Sequence, residues 1–495
     1  MNITHKSIRT ITGLLCLVFL LTVSSCDEDK YLQKVPPTLI DAADVFSTPE
    51  RIESLVNGVY ASLKLANFYG GRLLLFSDVR GEDFINTGGN SFTGFDAWNH
   101  SYSSGAADIL NVWSAGYSTI NKANILIDGI AKYPDVVTAT VATQYVGEAK
   151  FLRALSYFSL VTVFAQPYNK DGGASPGLPL RMQAETTLAN NDLARSTVAQ
   201  VYAQILKDLD EAEAALPANR GTTAGSLLNT TRVHKNTAIA LKTRVYLNMG
   251  NYAQVIAEAK KIAPQAVAPF SAPAATGVAH ALQPNVVTVL ATDYTTTESI
   301  LSMQFTSLDM LAGQSALGYM YYATPDYILN PTQIFSNPQW AATGDTRRGF
   351  ITRRVVSSQN RDYLNKYGTA APYLRYMPVI RYAEVLLNYA EAAARVGGAA
   401  NLALAEELLK AVHKRSDAAY VFPALDQAGL ISAILIERRI ELLGEGFRSN
   451  DITRLMLPFP AKTGTVYSTP AVPTDAPSYI WPMSNDELLN NKLIN

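Results

Sequence analysis

From Pro49 onward the chain alternates between stretches with an apolar residue every three or four positions and long stretches with no such order. In STPERIESLVNGVYASLK, residues Ile52, Leu55, Val59 and Leu63 make one stripe of a helix. Ser47 and Thr48 are N-cap candidates, Pro49 suits the first turn, and Glu50 completes a capping box with Ser47. The periodicity stops between Ala66 and Asn111, where Gly, Asn, Ser and aromatic residues dominate (VRGEDFINTGGNSFTGFDAWNHSYSSG). This stretch reads as loop, and it is too long to be a passive connection. Helical order returns near Val112 and is strongest in EAKFLRALSYFSLVTVFAQPY, which is apolar almost all round and therefore predicted to be central. Val201, Ile205, Leu209, Ala212 and Leu216 make a further stripe, with Asp208, Asp210, Glu211 and Glu213 facing elsewhere and Pro217 ending the helix.

Two later segments follow one plan. HKNTAIALKTRVYLNMGNYAQVIAEAKKI sets two helices around a Met249 to Tyr252 turn, with small residues Ala240 and Ala257, as in a tetratricopeptide pair. YAEVLLNYAEAAARVGGAANLALAEELLKAVHKR repeats it, with Gly397-Gly398 as the turn. The copies lie far apart in the chain, which excludes a continuous solenoid and fits a repeat scaffold with a large insertion. That insertion, residues 263–375, is poor in helix signals; ESILSMQF reads as a strand. The expected class is mostly α: a tetratricopeptide-like helical-repeat scaffold with long irregular loop insertions and a few short strands. Scaffold is expected mainly at 47–65, 112–262 and 376–457, and variable loops at 66–111 and 263–375.

Composition narrows the partners. The chain has 495 residues, 17% of them charged, and a net charge of -1, with no Lys/Arg-rich run. It has no electrostatic footprint for nucleic acid. Lys6 and Arg9 precede an apolar run from Ile11 to Val23, shorter than the ~20 residues that span a bilayer. Residues 1–25 are therefore read as an export signal, 26–46 as a tether and 47–495 as one domain. Only two cysteines exist; Cys16 lies inside the signal, leaving Cys26 alone and no intrachain disulfide in the mature chain. An ordinary signal-peptidase cut would make Cys26 incidental. A lipobox would make it the acylated first residue, anchored by ~0.8 kcal/mol per buried CH₂.

Chemistry-bearing constellations are few. His100, His234, His280 and His413 are scattered without metal-ligand spacing, and no nucleophile elbow or phosphate loop occurs, so neither metal, cofactor nor catalytic residue is assigned. Glu437, Glu441 and Glu445 recur on one helix face and are read as ion-paired by Arg438, Arg439, Arg448 and Arg454. Such neighbours hold carboxylates ionised and unsuited to general-acid work in glycoside hydrolysis. The loops supply the mixture that sugar binding needs, with rings to stack on C–H faces and polar groups for hydroxyls. The candidates are Asp78, Arg80, Asp83, Asp96, Trp98, Asn99 and Tyr102 in the first loop region, and Tyr319, Tyr321, Tyr322, Tyr327 and Trp340 in the second. Each ring could instead plug its loop onto the helices, and burial of these rings would favour an oligopeptide ligand.

Six blocks together resemble the SusD/RagB family of surface lipoproteins: CDEDKYL with STPERIESLVNGVYASL, GEAKFLRALSYFSLVTVFA, YAQILKDLDEAEAALP, ALKTRVYLNMGNYAQVIAEA, PVIRYAEVLLNYAEA and ERRIELLGEGFRSNDITRL. The resemblance implies an α-rich scaffold with an irregular ligand-binding side. It implies a non-enzymatic protein, lipid-anchored at the outer membrane and facing the exterior, with Asp27, Glu28 and Asp29 as the export address. The implied partner is a SusC-like TonB-dependent β-barrel transporter, to which such a protein delivers captured oligosaccharide or, in some members, oligopeptide. By position, Arg80 and Trp98 fall in one region where the family places ligand contacts, and Tyr319 to Tyr327 in the other. A surface glycoside hydrolase is the rival from another class.

Overall fold

The computed structural model describes residues 42–494, apart from 188, 222–225, 291–294, 312, 324–325 and 342. Cys26, the export signal and most of the tether lie outside the described residues.

The first long helix, α1 (Pro49–Leu63), starts at Thr48, whose hydroxyl accepts from the Arg51 N–H at 3.4 Å. The capping box expected of Ser47 is not formed; Ser47 donates to the Asp44 carbonyl instead, at 2.7 Å. The expected loop at 66–111 also holds a helix, α2 (Arg72–Val79), in which every residue is buried. A helix without a polar face has no amphipathic signal to read. After it come β1 (Phe84–Asn86), α3 (Ala107–Lys132) and α4 (Ala139–Phe164). From Gly147 to Phe164 all residues of α4 but Lys150 and Thr162 are buried, as its all-round apolarity predicts.

The scaffold then stacks by neighbours. α5 (Val198–Ala215), α6 (Lys235–Asn248), α7 (Tyr252–Ile262), α8 (Tyr382–Val396), α9 (Ala399–Lys414) and α10 (Gln427–Glu441) follow, with α11 (Arg448–Arg454) close behind. α3 packs on α4, α4 on α5, α5 on α6, α6 on α7, α7 on α8, and α8 on both α9 and α10. The contact between α7 and α8 corrects the expectation against a continuous solenoid. The insertion leaves the chain between two helices that remain spatial neighbours, so the stack runs through it. Inside the insertion, β2 (Ser299–Met303) pairs antiparallel with β6 (Met377–Arg381), Met303 opposite Met377, and β6 runs directly into α8. Asp208, expected to face outward, is buried and accepts from Arg153 Nε and Nη2 at 2.8 and 2.7 Å, joining α5 to α4.

Glu437 and Glu441 stand on α10, whereas Glu445, expected on the same helix face, lies past its end; all three are ion-paired, but by different partners. Glu437 and Glu441 accept from Arg347 at 2.5 and 3.2 Å, Glu441 and Glu445 accept from Arg381 at 2.8 Å, Glu445 accepts from Lys366 at 2.5 Å, and Arg415 also reaches Glu441. Arg347, Lys366 and Arg381 belong to the insertion and its exit strand, so this buried network fastens the insertion to the scaffold. The arginines nearer in sequence are engaged elsewhere: Arg438 and Arg454 with Asp451, and Arg439 and Arg448 with Glu82. Burial opposes ionisation of Glu437, Glu441 and Glu445, yet the surrounding cations hold all three below the ordinary carboxylate range.

Candidate functional site

The two loop regions meet. β1 pairs antiparallel with β3 (Tyr327–Leu329), Phe84 opposite Leu329 and Asn86 opposite Tyr327. The Asp326 carboxylate ties the insertion to the first loop, accepting from the Thr93 hydroxyl at 2.6 Å and from Asn90 Nδ2 at 3.1 Å. On one side of this ladder lies the hairpin β4 (Ile351–Val356) and β5 (Gln359–Leu364), in contact with β3. A second hairpin, β7 (Lys462–Thr463) and β8 (Ser468–Thr469), leans on β1, Thr465 donating to the Asn86 carbonyl at 3.0 Å.

Most of the sequence candidates are inside this layer. Trp98 is fully buried and donates through Nε1 to the Phe84 carbonyl at 2.9 Å. Arg80 is fully buried, donating to Ser449 Oγ at 2.9 Å and the Tyr479 carbonyl at 2.6 Å, with its guanidinium 4.5 Å from the Phe459 ring. Asp83 accepts from Arg439 Nε at 2.7 Å. Asp78 accepts from the N–H groups of Gly446 and Arg448 and from the Tyr321 hydroxyl; burial pushes its carboxyl up to about 7 against those bonds. Tyr321, Tyr327 and Trp340 are buried, and Arg348 covers the Trp340 ring at 4.3 Å. These side chains brace the loops, and the surface reading of them does not hold in this structure. The reason is that the loops fold back as a packed layer, so their largest rings become its core.

Asp96, Asn99, Tyr102, Tyr319 and Tyr322 keep partial exposure. Tyr102 is committed through its hydroxyl to the Ser478 carbonyl at 3.1 Å. Tyr319 and Tyr322 stand on a short π-helical turn, with Arg354 5.1 Å from the Tyr322 ring.

The rings that do reach solvent were missed. Asn86 Oδ1 accepts from the N–H groups of Gly88 and Gly89, at 3.2 and 2.9 Å, and turns the chain. Gly89 has φ +70°, and a Cβ there would sit 2.5 Å from the Tyr467 ring, so only glycine fits. Asn90 caps a short turn over Ser91–Thr93, and Gly94 closes it with φ +89°. Phe92 is thereby lifted outward, 56% exposed, with the Arg72 guanidinium 4.3 Å from its ring centre. Tyr467, between β7 and β8, is 44% exposed and lies 4.8 Å from half-buried Phe95. Phe92, Phe95 and Tyr467 thus crown a loop and a hairpin turn that touch each other. Asp96 and Asp108 lie close by, the latter pushed up to about 7 by burial and opposed by Arg72. The available signal was the glycine spacing in GGNSFTGF, which frames Phe92 in a turn.

This arrangement offers stacking faces beside carboxylates, amides and hydroxyls. Among the described residues no cluster of three or more His, Cys, Asp or Glu could hold a metal ion.

A scaffold of stacked helix pairs carrying an irregular layer of loops is also what known proteins of one class share. A family model described as the SusD family matches residues 244–495, and another, described as starch-binding and associating with the outer membrane, matches residues 30–247. A SusD superfamily protein from Bacteroides fragilis superimposes with a TM-score of 0.80 at 31% identity, covering 91% of this chain and 100% of that one. Two SusD-like proteins of Formosa agariphila, P38 and P2, are each 25% identical over 48% and 49% of this chain. The matches span 42% and 44% of those relatives, less than half their length. The chain belongs to the SusD/RagB family.

Proposed function

We propose that this protein captures oligosaccharide on the Phe92, Phe95 and Tyr467 platform and passes it to an outer-membrane transporter. The observation that carries the reading is the exposure of Phe92 and Tyr467 on two turns that touch each other, beside Phe95. Sugar C–H faces stack on them, and Asp96 with neighbouring amides takes up hydroxyls. Family membership supports a binding role and association with the outer membrane. Anchoring through an acylated Cys26, orientation to the exterior, and delivery to a SusC-like TonB-dependent barrel are the finer parts of this proposal. A catalytic role for the α10 carboxylates is disfavoured, because Glu437 and Glu441 are wholly enclosed and ion-paired.

Burial of Trp98, Tyr321, Tyr327 and Trp340 favours the second reading, an oligopeptide ligand. Calorimetric titration of the mature chain with oligosaccharides and with tri- to hexapeptides decides between the two. Saccharide binding that is lost in Phe92→Ala and Tyr467→Ala supports the platform; binding of peptides alone would sink the glycan reading.

A further inference from the structure

The chain carries 41 Lys and Arg, yet the three segments that build the platform carry none over long distances. No Lys or Arg occurs between Arg80 and Lys122, between Lys261 and Arg347, or between Lys462 and Lys492. These intervals contain all of loop 87–95, β3, and the β7–β8 turn that bears Tyr467. Carboxylates are not similarly excluded: Asp96, Asp108 and Asp326 all stand at the platform. Asp326 is spent on Thr93 and Asn90, while Asp96 is half-exposed.

Among the described residues, Lys462 is buried 5.0 Å from the Trp98 ring and bound to backbone carbonyls, and the cation that touches the platform rings is Arg72. It is buried beneath the Phe92 ring, lies within electrostatic reach of Asp108, and donates through Nη1 to Asn67 Oδ1 at 3.2 Å. The β4–β5 hairpin, past β3, carries Arg353, Arg354 and Arg361. Arg353 is paired with Asp362 at 2.9 Å, and Arg354 donates to the Tyr322 carbonyl at 2.6 Å. The loops that carry Phe92 and Tyr467 therefore offer a glycan carboxylates and neutral amides, and their own residues add no ammonium or guanidinium. Uronate or sulfate groups would be brought against like charge without a counter-ion.

We infer that the platform selects neutral sugar units and rejects uronate- and sulfate-bearing glycans, an inference that rests on the glycan-capture reading above. The ligand class is set less by what grips it than by the lack of Lys and Arg in the loops that carry the rings.

The test is calorimetry of the mature chain at low ionic strength with hexasaccharides of matched length. The neutral probes are β-1,3- and α-1,4-linked gluco-oligosaccharides and xylohexaose; the anionic ones are hexagalacturonate and a sulfated galactan hexamer. At least one neutral probe should bind about tenfold or more tighter than either anionic one, and the gap should narrow in about 0.5 M salt as charge is screened. Adding a cation at exposed positions, Ser91→Lys and Val466→Lys, should raise affinity for the anionic probes about fivefold and leave the neutral probe within twofold. Two sites are used so that one misfolded variant does not stop the test. Equal or tighter binding of an anionic probe by the unmodified chain overturns this inference while upholding capture of glycans. Binding of no saccharide at all overturns the capture reading, and this inference with it.

Discussion

The Lys462 ammonium, buried at the start of β7, donates to the backbone carbonyl of Trp98. It reaches the carbonyls of Val79 and Arg80 as well, each at 3.0 Å, and no carboxylate among the described residues pairs with it. Burial, aided by the like charge of Arg80, drives its pKa well below that of a free lysine. One side chain thus pins the end of α2, the Trp98 segment and the hairpin that carries Tyr467 together.

Replacement of Lys462 by Met should accordingly leave three carbonyls short of a donor. A loss of about 2 to 4 kcal/mol is expected in urea unfolding, together with weakened glycan binding because the hairpin is no longer located. Unchanged stability would mean that the carbonyl clamp is not made in solution.

Trp98→Ala should behave as a core cavity mutation, costing about 3 to 5 kcal/mol. Trp98→Phe should recover most of the stability and most of the ligand binding. A variant that kept full stability but lost binding would return Trp98 to the ligand surface.

Gly89→Ala separates positioning from contact. A methyl group there strains a left-handed backbone and strikes the Tyr467 ring, so the cost should be about 1 kcal/mol with a clear fall in saccharide affinity. Wild-type affinity in this variant would show that Tyr467 need not stand where it does.

Acid should unfold the protein through its buried pairs. Asp451 accepts from Arg454 Nε at 2.8 Å and from Arg438 at 3.2 Å; burial opposes its charge, but the two arginines bring its pKa from an ordinary 3.8 down to about 2. A depressed carboxylate contributes stability that is complete above the unfolded value and lost as pH falls through the folded one, here between about 4 and 2, worth about 2 kcal/mol. Asp451→Asn should be less stable near neutral pH and should flatten that part of the stability curve, measured by thermal melts across pH. A curve parallel to the unmodified protein's would rule out Asp451 as a contributor.

α1 and α5, with one apolar stripe each, could be read directly from periodicity, and the pairs α6–α7 and α8–α9 from their repeated plan of small residues and a short turn, although α6 and α8 are buried almost all round. α2 could not, because RLLLFSDV is buried on all sides and so shows no alternation. Charge partners were misassigned for a related reason. Glu437, Glu441 and Glu445 have arginines close in sequence, but their actual partners arrive from the insertion, which only the tertiary fold brings near. At the site, the sequence located the two regions that converge but not the direction of each ring. Trp98 is larger and more conspicuous than Phe92, yet it is Trp98 that fills the packed layer and Phe92 that reaches solvent. Only the flanking glycines mark Phe92 as presented, and nothing near Tyr467 in the chain links it to loop 87–95.

The most direct test of the central claim is titration of a neutral hexasaccharide that binds the mature chain into the Phe92→Ala/Tyr467→Ala double variant. Both rings are exposed, so the melting temperature should stay within a degree or two while affinity falls at least about thirtyfold, as expected for loss of two stacking contacts. Binding at unmodified strength in a fully folded double variant would contradict the assignment of this platform.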